Sequence, residues 1–277
     1  MDYKRVLTIQ DISCVGQCSM TVALPIISAC GIETAVLPSA VLSTHTAGFS
    51  GFTVRDLASD MPAIREHWVK ENLRFDAVYT GYLGSAQQVD YVLDIAADCR
   101  KDEFLLIVDP AMADHGKLYP AFDMAYAEAM KKLCAKADYL LPNITEACFL
   151  CGIEYRSEYD EAYVLDIVRA LAAMGVKNVI LTGIGYEKDK NGVVVYRNGK
   201  LEYYEHEMLP NSCHGTGDIY ASAFTGALIM GRDAFDAARI AADYTLECIR
   251  ITADDPSHWY GAKFEPVLYR LIQALAE

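Results

Sequence analysis

Short apolar runs and longer helical stretches alternate along most of the chain. The short runs, rich in β-branched residues, predict strands at Val6–Gln10, Glu33–Val41, Ala77–Tyr82, Phe104–Asp109, Tyr139–Pro142 and Val179–Thr182. Helical spacing between most of them predicts helices at Cys18–Cys30, Met61–Glu71, Gln87–Arg100 and Ala121–Lys136. The strand at Phe104 begins with five consecutive apolar residues, which is typical of a parallel strand covered on both faces.

The pattern changes after Gly192. Two apolar runs, Val193–Tyr196 and Leu201–Glu205, flank the pair Asn198-Gly199, which is a strong signal for a β-hairpin. The last third of the chain is predicted to be helical at Ile219–Met230, Ala234–Ile251 and Pro266–Ala276. Because no linker rich in Pro, Gly or Ser interrupts the pattern, we expect a single α/β domain over residues 1–277.

Composition narrows the function classes. The chain has 277 residues, 53% hydrophobic and 22% charged, which is typical of an ordinary globular protein. Its net charge of −14 would repel a phosphate backbone, so nucleic acid is not an expected partner. No apolar run reaches the roughly 18 residues of a membrane span, and the start does not resemble a signal peptide. We therefore expect a cytoplasmic protein without a membrane partner.

Unusual polar and glycine residues follow five of the predicted strands. They are Asp11, Gly81-Tyr82, Asp109-Pro110, Asn143 with Glu146, and Thr182-Gly183. Each of these residues alone is typical of a turn or a helix cap. Because ligands of open parallel sheets bind outside the carboxyl ends of the strands, the five together predict a binding site at that edge.

A glycine-rich segment before the helix at Ile219 predicts an anion site. Gly215-Thr216-Gly217-Asp218 would direct several backbone N–H groups toward a ligand at the positive end of the helix dipole. Asp218 could instead serve only as a helix cap. The chain lacks both the P-loop and the dinucleotide-binding glycine pattern, so another phosphate chemistry is expected. Asp109, Asn143 and Glu146 supply hard oxygen ligands suited to Mg²⁺.

The segments carrying these residues resemble a known family. They are Ser43–Thr46, Thr80–Ser85, Asp109–Asp114, Pro142–Glu146, Leu181–Gly183 and Gly215–Asp218. In this order they resemble the pyridoxal kinases of the ribokinase-like superfamily, over essentially the whole chain. The resemblance implies a three-layer α/β/α sandwich with a central, mostly parallel sheet.

The resemblance also implies roles for the residues on the nucleotide side. Asp218 matches the catalytic base that accepts the proton of the substrate hydroxyl, and Gly215, Thr216 and Gly217 match the anion hole for the γ-phosphate. Five residues match positions around ATP: Asp109, Asp114, Asn143, Glu146 and Thr182. Of these, Asp109 and Glu146 match the acids that hold the metal.

Substrate positions are implied in the same way. Leu42, His45, Thr46 and Tyr82 match positions around the pyridine ring, and Tyr119 matches the covering loop. His45 could instead be a core or turn histidine whose hydrogen bonds are satisfied within the protein.

Two residues depart from the family pattern. Asp11 stands where the family has a serine facing the ring, and Leu42 replaces an aromatic residue. We hypothesise that Asp11, directly after the first strand, faces the bound ring; alternatively it caps the following turn or helix.

The function that the resemblance implies is ATP- and Mg²⁺-dependent phosphorylation of the 5′-hydroxymethyl group of pyridoxal, pyridoxine or pyridoxamine, by a homodimer, in pyridoxal 5′-phosphate salvage. Two alternatives remain open. One is a hydroxymethylpyrimidine kinase of thiamine biosynthesis, and the other is a non-catalytic carrier of pyridoxal phosphate.

Overall fold

The structure, a computed structural model, describes residues 3–210 and 213–277. These residues form eleven strands: β1 (Arg5–Ser13), β2 (Glu33–Leu42), β3 (Val54–Asp56), β4 (Phe75–Thr80), β5 (Arg100–Val108), β6 (Ala113–Asp114), β7 (Lys117–Leu118), β8 (Tyr139–Leu140), β9 (Asn178–Thr182), β10 (Lys190–Arg197) and β11 (Lys200–Glu207). They also form nine α-helices: α1 (Met20–Ala29), α2 (Met61–Lys70), α3 (Ala86–Asp98), α4 (Met124–Cys134), α5 (Ile144–Cys151), α6 (Glu161–Ala173), α7 (Thr216–Ile229), α8 (Ala234–Ala253) and α9 (Leu268–Ala276).

Nine of the strands form one sheet in the order β11-β10-β9-β8-β5-β4-β1-β2-β3. The six strands from β9 to β2 are mutually parallel, whereas β3, β10 and β11 pair antiparallel at the two edges. The β10–β11 hairpin turns at Asn198-Gly199, as predicted. This mostly parallel sheet with helices around it confirms the predicted fold class.

A separate hydrophobic core covers each face of the sheet. Every residue of β4 is buried, and its side chains from Ala77 to Tyr79 alternate between the two cores. Val78 packs into the core that contains residues of α3, α4 and α6, while Ala77 and Tyr79 pack into the core with α1, α7 and α8. The continuous apolar strands of the sequence are thus explained by helices on both sides.

Most helix starts are set by a capping side chain. Ser85, Asp123, Asn143, Asp160 and Asp233 each accept a backbone N–H in the first turn of α3, α4, α5, α6 and α8. In contrast, α1 and α7 begin without a side-chain cap.

Some elements differ from the prediction. β1 continues to Ser13 rather than ending at Gln10, because Ile12 and Ser13 pair with Val41 and Leu42 of β2. The sequence pattern did not reveal β3, the small β6–β7 hairpin or α6.

Within the described ranges, no helix has both the length and the apolar character that crossing a bilayer requires.

Candidate active site

The ends of β5, β8 and β9 bring together the residues predicted around ATP. Asp109 follows β5, Asn143 precedes α5, and Thr182 ends β9. Asn143 and Thr182 pair in an isolated parallel bridge, and the Thr182 N–H donates to the Pro142 carbonyl at 2.9 Å. These side chains therefore lie at the carboxyl edge of the sheet, where the sequence predicted a site.

The Glu146 carboxylate is held from three directions by backbone N–H groups. Its Oε1 accepts from Met112 at 3.0 Å and its Oε2 accepts from Asn143 at 2.9 Å, while the N–H of Ala113 also lies within reach. The Asn143 Oδ1 in turn accepts the Glu146 N–H at 2.9 Å, which completes a capping box. Burial nevertheless raises the pKa of Glu146 to about 7.

Asp109 is the second acid of this group. Its Oδ1 accepts the Ala111 N–H at 3.1 Å, across a turn in which Ala111 has the strained φ of 36°. Burial, followed by the charge of Glu146, holds the pKa of Asp109 well above its usual value. Two neighbouring buried acids in this state would be stabilised by a cation bound beside them.

The carboxylate oxygens of Asp109 and Glu146 fit a site in which Mg²⁺ would also bind phosphate oxygens and water. Asp109 uses one carboxylate oxygen in the turn, so its other oxygen is suited to a metal, whereas both Glu146 oxygens already accept N–H groups. In residues 3–210 and 213–277 there is no group of three or more His, Cys, Asp or Glu arranged to hold a metal alone. Mg²⁺ commonly takes one or two carboxylates and completes its shell with phosphates and water.

The β6–β7 hairpin carries Asp114 and Tyr119 beside this group. Both residues are exposed, and the hairpin is fastened to the start of α5 by the Gly116 N–H, which donates to the Thr145 Oγ1 at 3.0 Å. The Tyr119 N–H donates to the Met112 carbonyl at 2.9 Å, next to the residue that holds Glu146. The hairpin is thus an exposed flap that is held both at its turn, by Gly116, and at its base, by Tyr119.

Helix α7 begins at Gly215, which has the left-handed φ of 78°. A Cβ at this position would overlap the carbonyl oxygen of Gln17, so the close approach of these two segments requires glycine. Because no side chain caps the helix, the N–H groups of its first turn are not used by a cap. This is the geometry expected of an anion site.

Asp218 lies in the first turn of α7, and its carboxylate points toward the start of α1. It accepts the backbone N–H of Ser19, and burial, followed by the charge of Asp109, raises its pKa to about 7. Asp11 also acts on it electrostatically. The N-cap of α7 is Gly215, so the alternative that Asp218 merely caps the helix is wrong.

Asp11 lies within β1 at an irregular point of the sheet. The register between β1 and β2 shifts here, with one additional residue on β2 opposite it. The side chain is 4% exposed and accepts a hydrogen bond from the Ser13 Oγ at 2.9 Å, with the Ser19 hydroxyl as a second donor. Burial raises its pKa. Because Ser19 is the N-cap of α1, Asp11 does not cap that helix, whereas its hydrogen bond from Ser13 fits the alternative in which it caps the following turn.

The residues predicted around the ring lie near the ends of β2 and β4. Leu42 is buried at the end of β2, Thr46 is exposed in the loop that follows, and Tyr82 is half-buried after β4. Burial, followed by the charge of Asp11, raises the pKa of Tyr82, which brings these two predicted residues into one region. The Tyr82 ring lies 5.3 Å from that of Phe122, a residue that the sequence pattern did not single out.

His45 uses both ring nitrogens within the protein. Its Nδ1 accepts the Ala47 N–H at 3.2 Å, so its Nε2 carries the hydrogen and donates to the Tyr260 carbonyl at 2.7 Å. The ring also lies 5.6 Å from that of His214, beside the anion site. These contacts favour a role for His45 in fixing the loop.

Comparison with known proteins agrees with this architecture. A family model described as phosphomethylpyrimidine kinase matches residues 24–263. The chain belongs to this family of ribokinase-like kinases. It is therefore a kinase of the pyridoxal and hydroxymethylpyrimidine phosphate kinase group, which confirms the resemblance noted from the sequence.

Similar proteins carry both kinase names. A Bacteroides thetaiotaomicron protein, provisionally named phosphomethylpyrimidine kinase and crystallised with pyridoxal, is 36% identical, with a TM-score of 0.92 over 98% of this chain and 96% of that one. Pyridoxal kinase from Lactobacillus plantarum is 30% identical, with a TM-score of 0.90 over 98% and 97%. The hydroxymethylpyrimidine/phosphomethylpyrimidine kinase of Bacillus subtilis is 29% identical over 77% of each chain.

Proposed function

We propose that this kinase transfers the γ-phosphoryl group of ATP to the 5′-hydroxymethyl group of a vitamin B6 vitamer. The observation that carries the proposal is the location of Asp218. Its carboxylate interacts with Asp109 on the nucleotide side and with Asp11 on the opposite side. A base at this position lies between a bound nucleotide and a bound acceptor, as phosphoryl transfer requires.

Each part of the site has a task in this reaction. Asp218, with a pKa raised to about 7, accepts the proton of the attacking hydroxyl. The N–H groups of Gly215, Thr216 and Gly217 bind the oxygens of the transferred group.

The remaining polar residues of the nucleotide side bind ATP. Asn143, Thr182 and Asp114 orient it, and Asp109 holds Mg²⁺ with the help of the nearby charge of Glu146. When bound, Mg²⁺ neutralises charge on the β- and γ-phosphates.

The acceptor ring binds between the ends of β1, β2 and β4. Tyr82 supplies an aromatic face, and Leu42 supplies an apolar contact in place of an aromatic one. Thr46 and Asp11 offer hydrogen-bonding groups to the ring substituents. Tyr119 covers the site from the β6–β7 flap, and His45 keeps the loop carrying Thr46 in place.

A hydroxymethylpyrimidine is the second candidate acceptor. The buried carboxylate of Asp11 is suited to an amino group, and an aminopyrimidine carries one. The name of the matching family model and the Bacillus relative also support this candidate. A non-catalytic carrier would have no need of the acids on both sides of Asp218, so it is the least supported alternative.

A coupled assay of ADP release tests the proposal. Wild-type protein is supplied with ATP, Mg²⁺ and one acceptor at a time: pyridoxal, pyridoxine, pyridoxamine or hydroxymethylpyrimidine. We expect the largest kcat/KM with a B6 vitamer. A larger kcat/KM with hydroxymethylpyrimidine would support the second candidate, and no ADP release with any acceptor would support the carrier.

A further inference from the structure

The loop between β4 and α3, residues 81–85, has no regular secondary structure, yet buried side chains hold its backbone. The Tyr82 carbonyl accepts a hydrogen bond from the Ser39 Oγ at 3.0 Å. The next carbonyl, that of Leu83, accepts a hydrogen bond from the Tyr126 hydroxyl at 2.7 Å. Ser39 is fully buried and Tyr126 is 5% exposed, so both donors are shielded from water, where a hydrogen bond is stronger.

The following residue of this loop is held by Gln88, which lies in α3 and is fully buried. The Gln88 Oε1 accepts the Gly84 N–H at 2.8 Å. Its Nε2 donates to the Ser39 carbonyl and to the Asp56 Oδ1, each at 3.0 Å. Residues 82–84 are thus joined, one after another, to side chains from β2, α4 and α3.

Tyr126 also supports the side chain of Tyr82, through the ring of Phe122. The rings of Tyr126 and Phe122 are stacked, with their centroids 3.8 Å apart and their planes at 7°. The Phe122 centroid lies 5.3 Å from that of Tyr82, with the planes at 33°. Tyr126 therefore acts on Tyr82 in two ways. Its hydroxyl fixes the backbone beside Tyr82, and its ring fixes the aromatic neighbour of the Tyr82 ring.

We propose that Tyr126 is a positioning residue for the acceptor, which fixes the orientation of the Tyr82 ring without itself contacting the substrate. This inference rests on the proposed function, in which Tyr82 supplies an aromatic face to the acceptor ring. Aromatic rings attract each other in particular relative orientations, so the plane of the Tyr82 ring affects binding. A loop that is already ordered also avoids the entropy cost of ordering it when the acceptor binds.

A pair of variants tests the hydrogen bond alone. Tyr126→Phe removes the hydroxyl and keeps the ring that stacks on Phe122. Tyr244→Phe is the matched control, because Tyr244 is also a buried tyrosine of a helix, 3% exposed, whose hydroxyl donates to a loop carbonyl. That carbonyl belongs to Phe264, at 3.1 Å, and not to the loop that carries Tyr82.

The acceptor for these measurements is the compound with the largest kcat/KM in the ADP-release assay. We expect Tyr126→Phe to raise its KM about 3- to 10-fold, which corresponds to the net contribution of one neutral hydrogen bond. The kcat and the KM for ATP should stay within about twofold, since the loop affects binding of the ring and not the transfer step. An unchanged KM for ATP also shows that the variant is folded. Tyr244→Phe should leave all three values within about twofold.

A double-mutant cycle distinguishes positioning of Tyr82 from a general loss of packing. Tyr82→Leu should itself raise the KM for the acceptor, because it removes the aromatic face. Added to Tyr82→Leu, the change Tyr126→Phe should cause no further increase in this KM, because no aromatic ring is left to orient.

An acceptor KM of Tyr126→Phe within about twofold of the wild type would overturn the inference. Equal increases with and without the Tyr82 ring, or equal increases in Tyr126→Phe and Tyr244→Phe, would also overturn it. A wild-type acceptor KM in Tyr82→Leu would do the same, since Tyr82 would then not contact the ring. Wild-type protein without turnover on any acceptor removes the proposed function and the inference together, whereas normal wild-type turnover with any of the other three results removes the inference alone.

Discussion

Helices α5 and α7 both carry an acid at the third residue of the helix, yet the two acids have different surroundings. In α5 the N-cap is Asn143, and its side chain and that of Glu146 satisfy each other's backbone N–H groups. In α7 the N-cap is Gly215, which has no side chain to offer. Burial raises the pKa of both acids, Glu146 and Asp218, to about 7.

The difference bears on which of the two buried acids is suited to act as the base. Both oxygens of Glu146 accept backbone N–H groups, so this side chain stabilises the start of α5 and contributes its charge to the nucleotide side. Asp218 takes one backbone N–H, from Ser19, and lies beside the open first turn of α7. The two acids thus differ because the N-cap residues differ. Glu146 is held by the capping interactions of its helix, whereas the Asp218 carboxylate is available to exchange a proton.

Asp218→Asn should have the largest effect. We expect kcat to fall about 10²- to 10⁴-fold, the usual contribution of a positioned general base. Asp236→Asn is the matched control, because Asp236 is also the third residue of its helix but forms an exposed ion pair with Arg239. Its kcat should not change. Near wild-type turnover of Asp218→Asn would show that the carboxylate is not the base.

The same variant has an expected effect on stability. A carboxyl group whose pKa is raised in the folded state binds more protons there than in the unfolded chain, so the free energy of unfolding falls as pH rises from about 4 to about 7. Asp218→Asn removes the contribution of this carboxyl group, while those of Glu146 and Asp109 remain. Urea unfolding at about pH 8 should therefore find the variant at least as stable as the wild type, and a less stable variant would indicate a structural role.

Gly215→Ala should lower the free energy of unfolding by about 2–4 kcal/mol, since alanine is strained at this φ and its Cβ overlaps the Gln17 carbonyl. Gly217→Ala is the comparison for stability, because its Cβ would meet no atom within 4 Å. It should be equal to or more stable than the wild type by up to about 1 kcal/mol. Equal stability of the two variants in urea would contradict the close approach at Gly215.

Asp11→Ser should change which vitamer is preferred. If Asp11 contacts the ring substituent, its carboxylate favours the amine of pyridoxamine over the aldehyde of pyridoxal by about 10- to 100-fold in kcat/KM. The variant should lose most of this preference. The ratio of the two kcat/KM values measures it, and a ratio that does not fall shows that Asp11 does not contact the substituent.

Glu146→Gln should have the smallest effect on turnover. The amide places an NH₂ group against a backbone N–H that the carboxylate accepted, which should cost about 1–3 kcal/mol of unfolding free energy. The loss of charge should raise the Mg²⁺ concentration needed for half-maximal activity more than the KM for the acceptor. If the Mg²⁺ concentration for half-maximal activity is unchanged, Glu146 does not contribute to binding of the metal or the nucleotide.

Much of this arrangement could be predicted from local patterns. The strands β4, β5 and β9 each contain a short, largely apolar run, and the polar residues after them meet because parallel strands end at one edge. The chemistry of Asp109, Asn143 and Glu146 follows from that rule and from residue type.

The remaining features depend on tertiary contacts that have no local signal. The close approach of the Gln17 carbonyl to Gly215, which requires glycine there, joins two segments that are far apart in the sequence. Three of the last four residues of β1, including Asp11, are polar, yet pairing with β2 keeps this segment in the strand. Ser19 occupies the N-cap position of α1, but its side chain does not cap the helix. Its hydroxyl donates to Asp11 and its backbone N–H donates to Asp218.

The pH dependence of kcat/KM tests the central claim, that Asp218 is the base, most directly. The acceptor should be one that does not itself titrate between about pH 5.5 and 8.5, with Mg²⁺ and ATP saturating. Because the base must be ionised, we predict that kcat/KM is constant above about pH 7 and falls about tenfold per pH unit below it. The residual activity of Asp218→Asn should lack this limb. A wild-type profile that stays flat down to about pH 5.5 would contradict the assignment of Asp218 as the base.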